Sequence, residues 1–191
     1  MKPHDTLHPD SRPVHAGPDP DPLHGGVSVP IYQSSTFSFA DADEGAARFA
    51  GRDPGYKYTR LGNPTTEALE KNIAELEGGC GGLAAASGMA AVNMVYLTYL
   101  GMNTHIVATE SLYGPSRMIL ETEYPRFGVA SSFVDSTNPE NVAAAMTDQT
   151  KLVYVETPAN PTLKMTDVAA CAKIAARKAH LGTVPIDRFG W

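Results

Sequence analysis

Two cysteines in 191 residues, Cys80 and Cys171, stand at no metal-ligand spacing, and so low a count points to a reducing cytoplasm. No apolar run reaches the roughly 18 residues of a membrane span. The longest, Met89 to Leu100, is broken by Asn93, Thr98 and two tyrosines. The first ten residues carry Asp5 and Asp10 and lack the apolar stretch of a signal peptide. A Lys/Arg-rich stripe is also missing, and the net charge of −6 argues against a nucleic-acid partner. No Gly-x-Gly-x-x-Gly follows the first expected strand, which leaves a Rossmann nucleotide site little support.

What remains is an ordinary globular composition, 42% hydrophobic and 19% charged, in a chain long enough for one domain with its own core. Residues 1 to about 26 are rich in Pro, Asp, His and Gly and read as an extended arm. His4, His8, His15 and His24 fall there at irregular spacing among prolines, a pattern of a mobile arm more than of a metal site. Val27 to Phe39 holds β-formers interrupted by Pro30 and serines, and reads as extended chain rather than a central strand.

Asn63 followed by Pro64 opens a helix, with Leu69, Ile73 and Leu76 on one face and Glu67 and Lys71 placed to pair; Gly78-Gly79 ends it. Strands and helices then alternate. Strands are expected at Leu83–Ala86, His105–Thr109, Val129–Val134 and Leu152–Glu156, with a fifth beginning at Thr183–Asp187. Helices are expected from Gly88, from about Pro115, after the cap Asn138, and from Thr166 or Asp167. The recurring interval predicts parallel βαβ units, an α/β fold with helices packed on a central sheet.

Such sheets bind ligands at the carboxyl ends of their strands, where helix N-termini present unpaired N–H groups. Ser87-Gly88-Met89 stands at one strand-to-helix turn, and Gly88 would let an anion approach the backbone. Tyr113 follows the next strand, where its ring either stacks on a flat heteroaromatic ligand or packs in the loop. Asn160 lies between two prolines after the fourth strand, able to donate to a ligand oxygen or simply to form a turn. Glu156 is either ligand-facing or a paired structural carboxylate. Tyr58 and Arg60 add an aromatic ring and a planar phosphate-reading fork.

Read together, His15-Ala16-Gly17, Pro30 to Phe37, Tyr58-Thr59-Arg60 with Asn63-Pro64-Thr65, and Leu76-Glu77-Gly78-Gly79 form an ordered set. With Ser87 to Ala90, Leu112-Tyr113-Gly114 and Glu156 to Pro161, the chain resembles the transsulfuration (Cys/Met metabolism) family of pyridoxal-phosphate enzymes over residues 12 to 180. The resemblance implies a fold-type I, transferase-like large domain. It also implies an arm over residues 1–62 that serves a neighbouring subunit, and a partial cofactor-binding domain over 63–191.

By the same resemblance, Ser87, Gly88 and Met89 would hold the cofactor phosphate, and Tyr58 and Arg60 would reach the phosphate of a neighbouring subunit. Tyr113 would stack on the pyridine ring and assist proton transfer, and Asn160 would contact the ring hydroxyl. Asp187, in Ile186-Asp187-Arg188-Phe189, stands where the family's partner of the ring nitrogen is expected, although Arg188 and Phe189 depart from the pattern. Implied are pyridoxal 5'-phosphate as cofactor, a sulfur amino acid as substrate, a homo-oligomer (a tetramer in the family) and no metal.

In the family a downstream lysine holds the cofactor as a Schiff base, and no lysine follows Lys178 here. The resemblance therefore implies a C-terminally truncated chain, inactive by itself. The expected activity is most like a cystathionine or methionine γ-lyase. Cystathionine γ-synthase and O-acyl-homoserine sulfhydrylase stay open, because Pro115 stands where methionine γ-lyases often carry cysteine. A different class, a non-catalytic association partner, also stays open.

Overall fold

A computed structural model describes residues 8–11, 20–21 and 24–178. It divides into two compact units after Ala84.

In the first unit, Asp41 caps helix α1 (Ala42–Phe49) by accepting the Glu44 N–H at 2.8 Å. Arg48 leaves this helix to bind Glu44 at 2.5 Å, Asp53 at 3.2 Å and the Tyr56 carbonyl at 2.8 Å, with its guanidinium over the Phe39 ring. A Cβ on Gly55 would come within 2.4 Å of the Arg48 Nε, so a larger residue there would have to displace the fork. Helix α2 (Pro64–Glu77) begins at Asn63 and ends at Gly78 in the left-handed conformation, as the Asn-Pro and Gly-Gly signals require. Glu67 and Lys71 pair at 2.5 Å. Leu69, Ile73 and Leu76, expected to share one face, are exposed, and Ala68 is the buried apolar residue of this helix.

The second unit is a parallel sheet between helices. Strands β1 (Thr104–Thr109), β2 (Val129–Val134) and β3 (Thr150–Tyr154) run in the order β2-β1-β3. Helices α3 (Gly88–Tyr99) and α4 (Gly114–Thr122) precede β2, α5 (Pro139–Ala145) joins β2 to β3, and α6 (Val168–Lys178) follows β3. Successive β1 side chains point to opposite faces. Ile106 and Ala108 pack with Val92, Tyr96, Leu100, Leu120 and Tyr124, while Val107 packs with Val142 and Cys171 on the other side. Both edges of β1 are paired, so this strand is buried on every side, with Ile106 and Val107 fully enclosed.

The α/β class and parallel pairing are as the alternation predicts. Two strand expectations change. Leu83–Ala86 forms no strand: it pairs with none of the three strands, and Leu83 stands 74% exposed. The strand expected at 152–156 occupies Thr150–Tyr154 instead, since His105 and Thr150 already pair at its start. Asp167 opens α6, accepting the Ala170 N–H at 2.9 Å. The fifth strand at Thr183–Asp187 lies outside the described residues. None of the described helices is long and apolar enough to cross a membrane.

Candidate functional site

Within the second unit, the carboxyl edge of the sheet gathers three segments that the sequence holds far apart. The first is the start of α3. Ser87 caps this helix, its Oγ accepting the Ala90 N–H at 3.2 Å, while the Ala91 N–H reaches the Ser87 carbonyl at 3.0 Å. The N–H groups of Gly88 and Met89 precede that first intrahelical bond and point outward with the positive end of the helix dipole. A Cβ at Gly88 would meet nothing within 4 Å, so the backbone there is open to an approaching group.

The second segment follows β1. Tyr113 is the cap position of α4, makes no side-chain cap bond, and leaves 45% of its surface exposed. Its backbone N–H donates to Glu156 Oε2 at 2.8 Å. One turn on, the buried Ser116 hydroxyl lies 3.5 Å from the Met89 sulfur, which ties the start of α4 to the start of α3.

The third segment is the loop after β3. Glu156 leads into Thr157 to Pro161, and Asn160 is exposed on this loop. Ala159, almost fully buried, anchors it: its N–H bonds the Lys164 carbonyl at 3.0 Å, and its carbonyl accepts the Leu163 N–H at 2.7 Å. The Thr166 N–H closes the loop onto Thr157 Oγ1 at 3.0 Å. Below, the buried Ser136 hydroxyl joins Thr109 at 2.9 Å and Thr166 at 2.6 Å, so the ends of the strands share one polar seam.

Electrostatics at this edge are uneven. Lys164 sits between Glu110 at 2.8 Å and Asp135 at 3.2 Å; hydrogen bonds to these carboxylates hold its amine above the ordinary lysine range. Asp135 lies below the usual carboxylate range because Thr137 donates to it, with Lys164 adding to the effect. Tyr154 is pushed up to about 12, first by burial and then by the Glu156 charge. Tyr96, fully enclosed behind it, is pushed up in the same way, with Glu156 the last of its contributors.

Tyr58 and Arg60 belong to the first unit. The Arg60 guanidinium lies 4.7 Å from the Tyr58 ring centroid, and among the described residues it has no carboxylate partner. Their turn is pinned by the Leu61 N–H to the Tyr58 carbonyl at 2.8 Å and by a Thr36–Tyr58 bridge. Asn63, only 3% exposed, donates to the Tyr32 carbonyl and to Thr59 Oγ1, each at 3.0 Å, and accepts the Thr65 N–H at 2.9 Å. Thr65 in turn donates to the Pro30 carbonyl and accepts the Tyr32 N–H, each at 2.9 Å.

Of the expected site residues, Ser87, Gly88, Met89, Tyr113 and Asn160 therefore fall on segments that meet at one sheet edge. Tyr58 and Arg60 share a separate turn, and Asp187 lies outside the described residues. Glu156, left open by the sequence, is paired with the Tyr113 backbone, and nothing local to either residue signals that bond 43 positions apart. Among the described residues no group of three or more His, Cys, Asp or Glu side chains is placed to hold a metal.

A family model described as "Cys/Met metabolism PLP-dependent enzyme" matches residues 10–188. An L-methionine gamma-lyase of Fusobacterium nucleatum is 48% identical over 162 residues, covering 85% of this chain and 41% of that protein. An O-acetyl-L-homoserine sulfhydrylase of Leptospira meyeri is 41% identical over 167 residues, covering 87% of this chain and 38% of that protein. The crystal structure of metB from Corynebacterium glutamicum superposes with a TM-score of 0.84 at 39% identity, over 92% of this chain and 44% of that one. The chain thus spans about two-fifths of the length of these relatives.

Proposed function

The chain belongs to the Cys/Met metabolism PLP-dependent enzyme family, and on that premise we propose that it serves pyridoxal-phosphate chemistry on a sulfur amino acid, most like a cystathionine or methionine γ-lyase. The observation that carries this reading is the meeting of the open Gly88 turn, the Tyr113 face and the Asn160 loop at one carboxyl edge.

The residues fit the cofactor. Gly88 and Met89 offer two free N–H groups to a phosphate, and the Ser87 hydroxyl hydrogen remains available because its oxygen only accepts in the cap. Tyr113 presents an exposed ring for stacking, and its phenol is the group to move a proton; Asn160 supplies an uncharged donor for a ring oxygen. Arg60, with no carboxylate partner among the described residues and with Tyr58 against it, supplies a fork for the phosphate of a neighbouring subunit, so a complete site needs at least two chains. Asp187 is assigned to the ring nitrogen. When bound, pyridoxal phosphate supplies an electron-accepting ring. Lys164, gripped by two carboxylates and held protonated, is unsuited to act as a nucleophilic amine.

A cytoplasmic location and a homotetrameric assembly are part of the same proposal. The sulfhydrylase branch is the second reading, favoured by the Leptospira relative and by Pro115 after the Tyr-Gly pair. Visible circular dichroism tests both, because free pyridoxal phosphate is achiral. The chain is expected to induce a band that L-methionine or L-cystathionine alters and the D-enantiomers leave alone. A response confined to O-acetyl-L-homoserine would favour the second branch. A band that no amino acid alters would leave an association partner without chemistry, and no band at all would contradict the cofactor assignment.

A further inference from the structure

Tyr113 is the one expected catalytic side chain, and a bond from outside its own helix fixes its backbone. It occupies the cap position of α4 without a side-chain cap bond, and the backbone leaves it at φ −50° and ψ 127°. Almost half of its surface is exposed. The polar contact that fixes its backbone comes from outside the helix: the Glu156 carboxylate accepts the Tyr113 N–H at 2.8 Å.

Glu156 is well placed for this. It is half-buried, two residues beyond the end of β3, on a chain whose position is set by the β1–β3 ladder. A bond from a charged acceptor to a backbone N–H is stronger than one between neutral groups. It also spans the two strands whose ends frame the edge, so it sets the distance between the Tyr113 turn and the Asn160 loop. The Ser116–Met89 contact performs the matching task on the other side, between the Tyr113 turn and the open backbone at Gly88.

We propose that Glu156 is a positioning residue: by gripping the Tyr113 N–H across the β1–β3 ends, it aims the Tyr113 ring over the cofactor-binding edge. The proposal rests on the cofactor reading above for what the ring faces. The grip itself stands on this chain's own geometry.

The experiment compares the full chain with Glu156→Ala, Glu156→Gln and Tyr113→Phe by amide hydrogen exchange and by the circular dichroism of added pyridoxal 5'-phosphate. Glu156→Ala should raise exchange at the Tyr113 amide by about tenfold or more while the Ile106 and Val107 amides are unchanged. The induced visible band should fall by about half or more as the ring loses its fixed angle. Glu156→Gln keeps an acceptor oxygen and should return both readings to within about threefold of the parent. Tyr113→Phe keeps the ring and the N–H, so it should preserve the exchange pattern.

Unchanged exchange at Tyr113 in Glu156→Ala would overturn the proposal. So would a rise spread equally over β1 and α4, which would mark a merely structural bond. A strong band in the parent that Glu156→Ala leaves intact would overturn it too. If the parent gives no band while exchange responds as stated, the cofactor reading fails and the grip on Tyr113 stands.

Discussion

The sheet unit encloses Tyr96, Ile106, Val107, Leu120 and Val142 completely, whereas the unit carrying Arg60 is stitched by polar groups. Around α2 the chief buried residues are Asn63 and Ala68, and around α1 the junction is the Arg48 fork. Apolar burial contributes about 25 cal/mol per Å² and is shared over a whole core, while each hydrogen bond contributes only about 1 kcal/mol and is local. The backbone and ring elements of the site thus stand on a cooperative core. The arginine expected to reach a neighbouring phosphate stands on a scaffold that one lost side chain can loosen.

Leu120→Ala should produce the largest effect, a loss of about 2–5 kcal/mol, because it opens a cavity among Val92, Tyr96, Ile106 and Val129. Chemical denaturation checks it, and a loss under about 1 kcal/mol would mean that this cluster is not a shared core. Asn63→Ala should cost about 2 kcal/mol, from the lost cap and the orphaned Tyr32 carbonyl. Its signature should be local, with faster exchange or proteolysis over residues 30–65 and the β1 amides untouched. Equal loosening of β1 would break the contrast between the two units.

A pH dependence is next in size. His105 lies buried at the start of β1, its Nδ1 2.8 Å from Thr150 Oγ1 and its Nε2 3.0 Å from Ser132 Oγ, and burial depresses its pKa from 6.5. The unfolded chain therefore takes up a proton near pH 6.5 that the folded chain resists. This contribution is fully present above that pH and is lost as pH falls through the window beneath it. His105→Gln should flatten the slope of stability against pH there, and an unchanged slope would contradict the assignment. The smallest effect is expected from Lys164→Met, since its two ion pairs are solvent-exposed and screened. A melting midpoint that falls more than in Asn63→Ala would show that the Lys164 bridge, and not the core alone, holds the strand ends together.

Sequence signals were legible where a local device decides the structure. Asn63-Pro64 and Asn138-Pro139 start helices because an Asx side chain caps the second N–H and proline tolerates the first turn. The parallel sheet was legible from the beat of apolar strands and amphipathic helices. Helix α1 was missed, although Asp41 followed by Glu44 is a capping signal; it is only eight residues long and holds Gly45 in its middle. The Leu83–Ala86 strand was expected from local residue types, which do not say whether a segment pairs with the sheet, and this one does not. At the site, residue types announced the phosphate turn and the aromatic face. The Glu156–Tyr113 bond did not show, because it depends on strand order and register.

The central claim is that an anion is read by the bare backbone at Gly88, and Gly88→Ala tests it most directly. The added methyl meets no protein atom within 4 Å and occupies the first position of α3, so folding should be unaffected or slightly strengthened. Equilibrium binding of pyridoxal 5'-phosphate, set against phosphate-free pyridoxal, is the measurement. The account predicts that the parent prefers the phosphate ester and that Gly88→Ala weakens it by about tenfold or more without altering pyridoxal binding. Equal affinity for the two ligands in the parent, or an undiminished preference in Gly88→Ala, would contradict it.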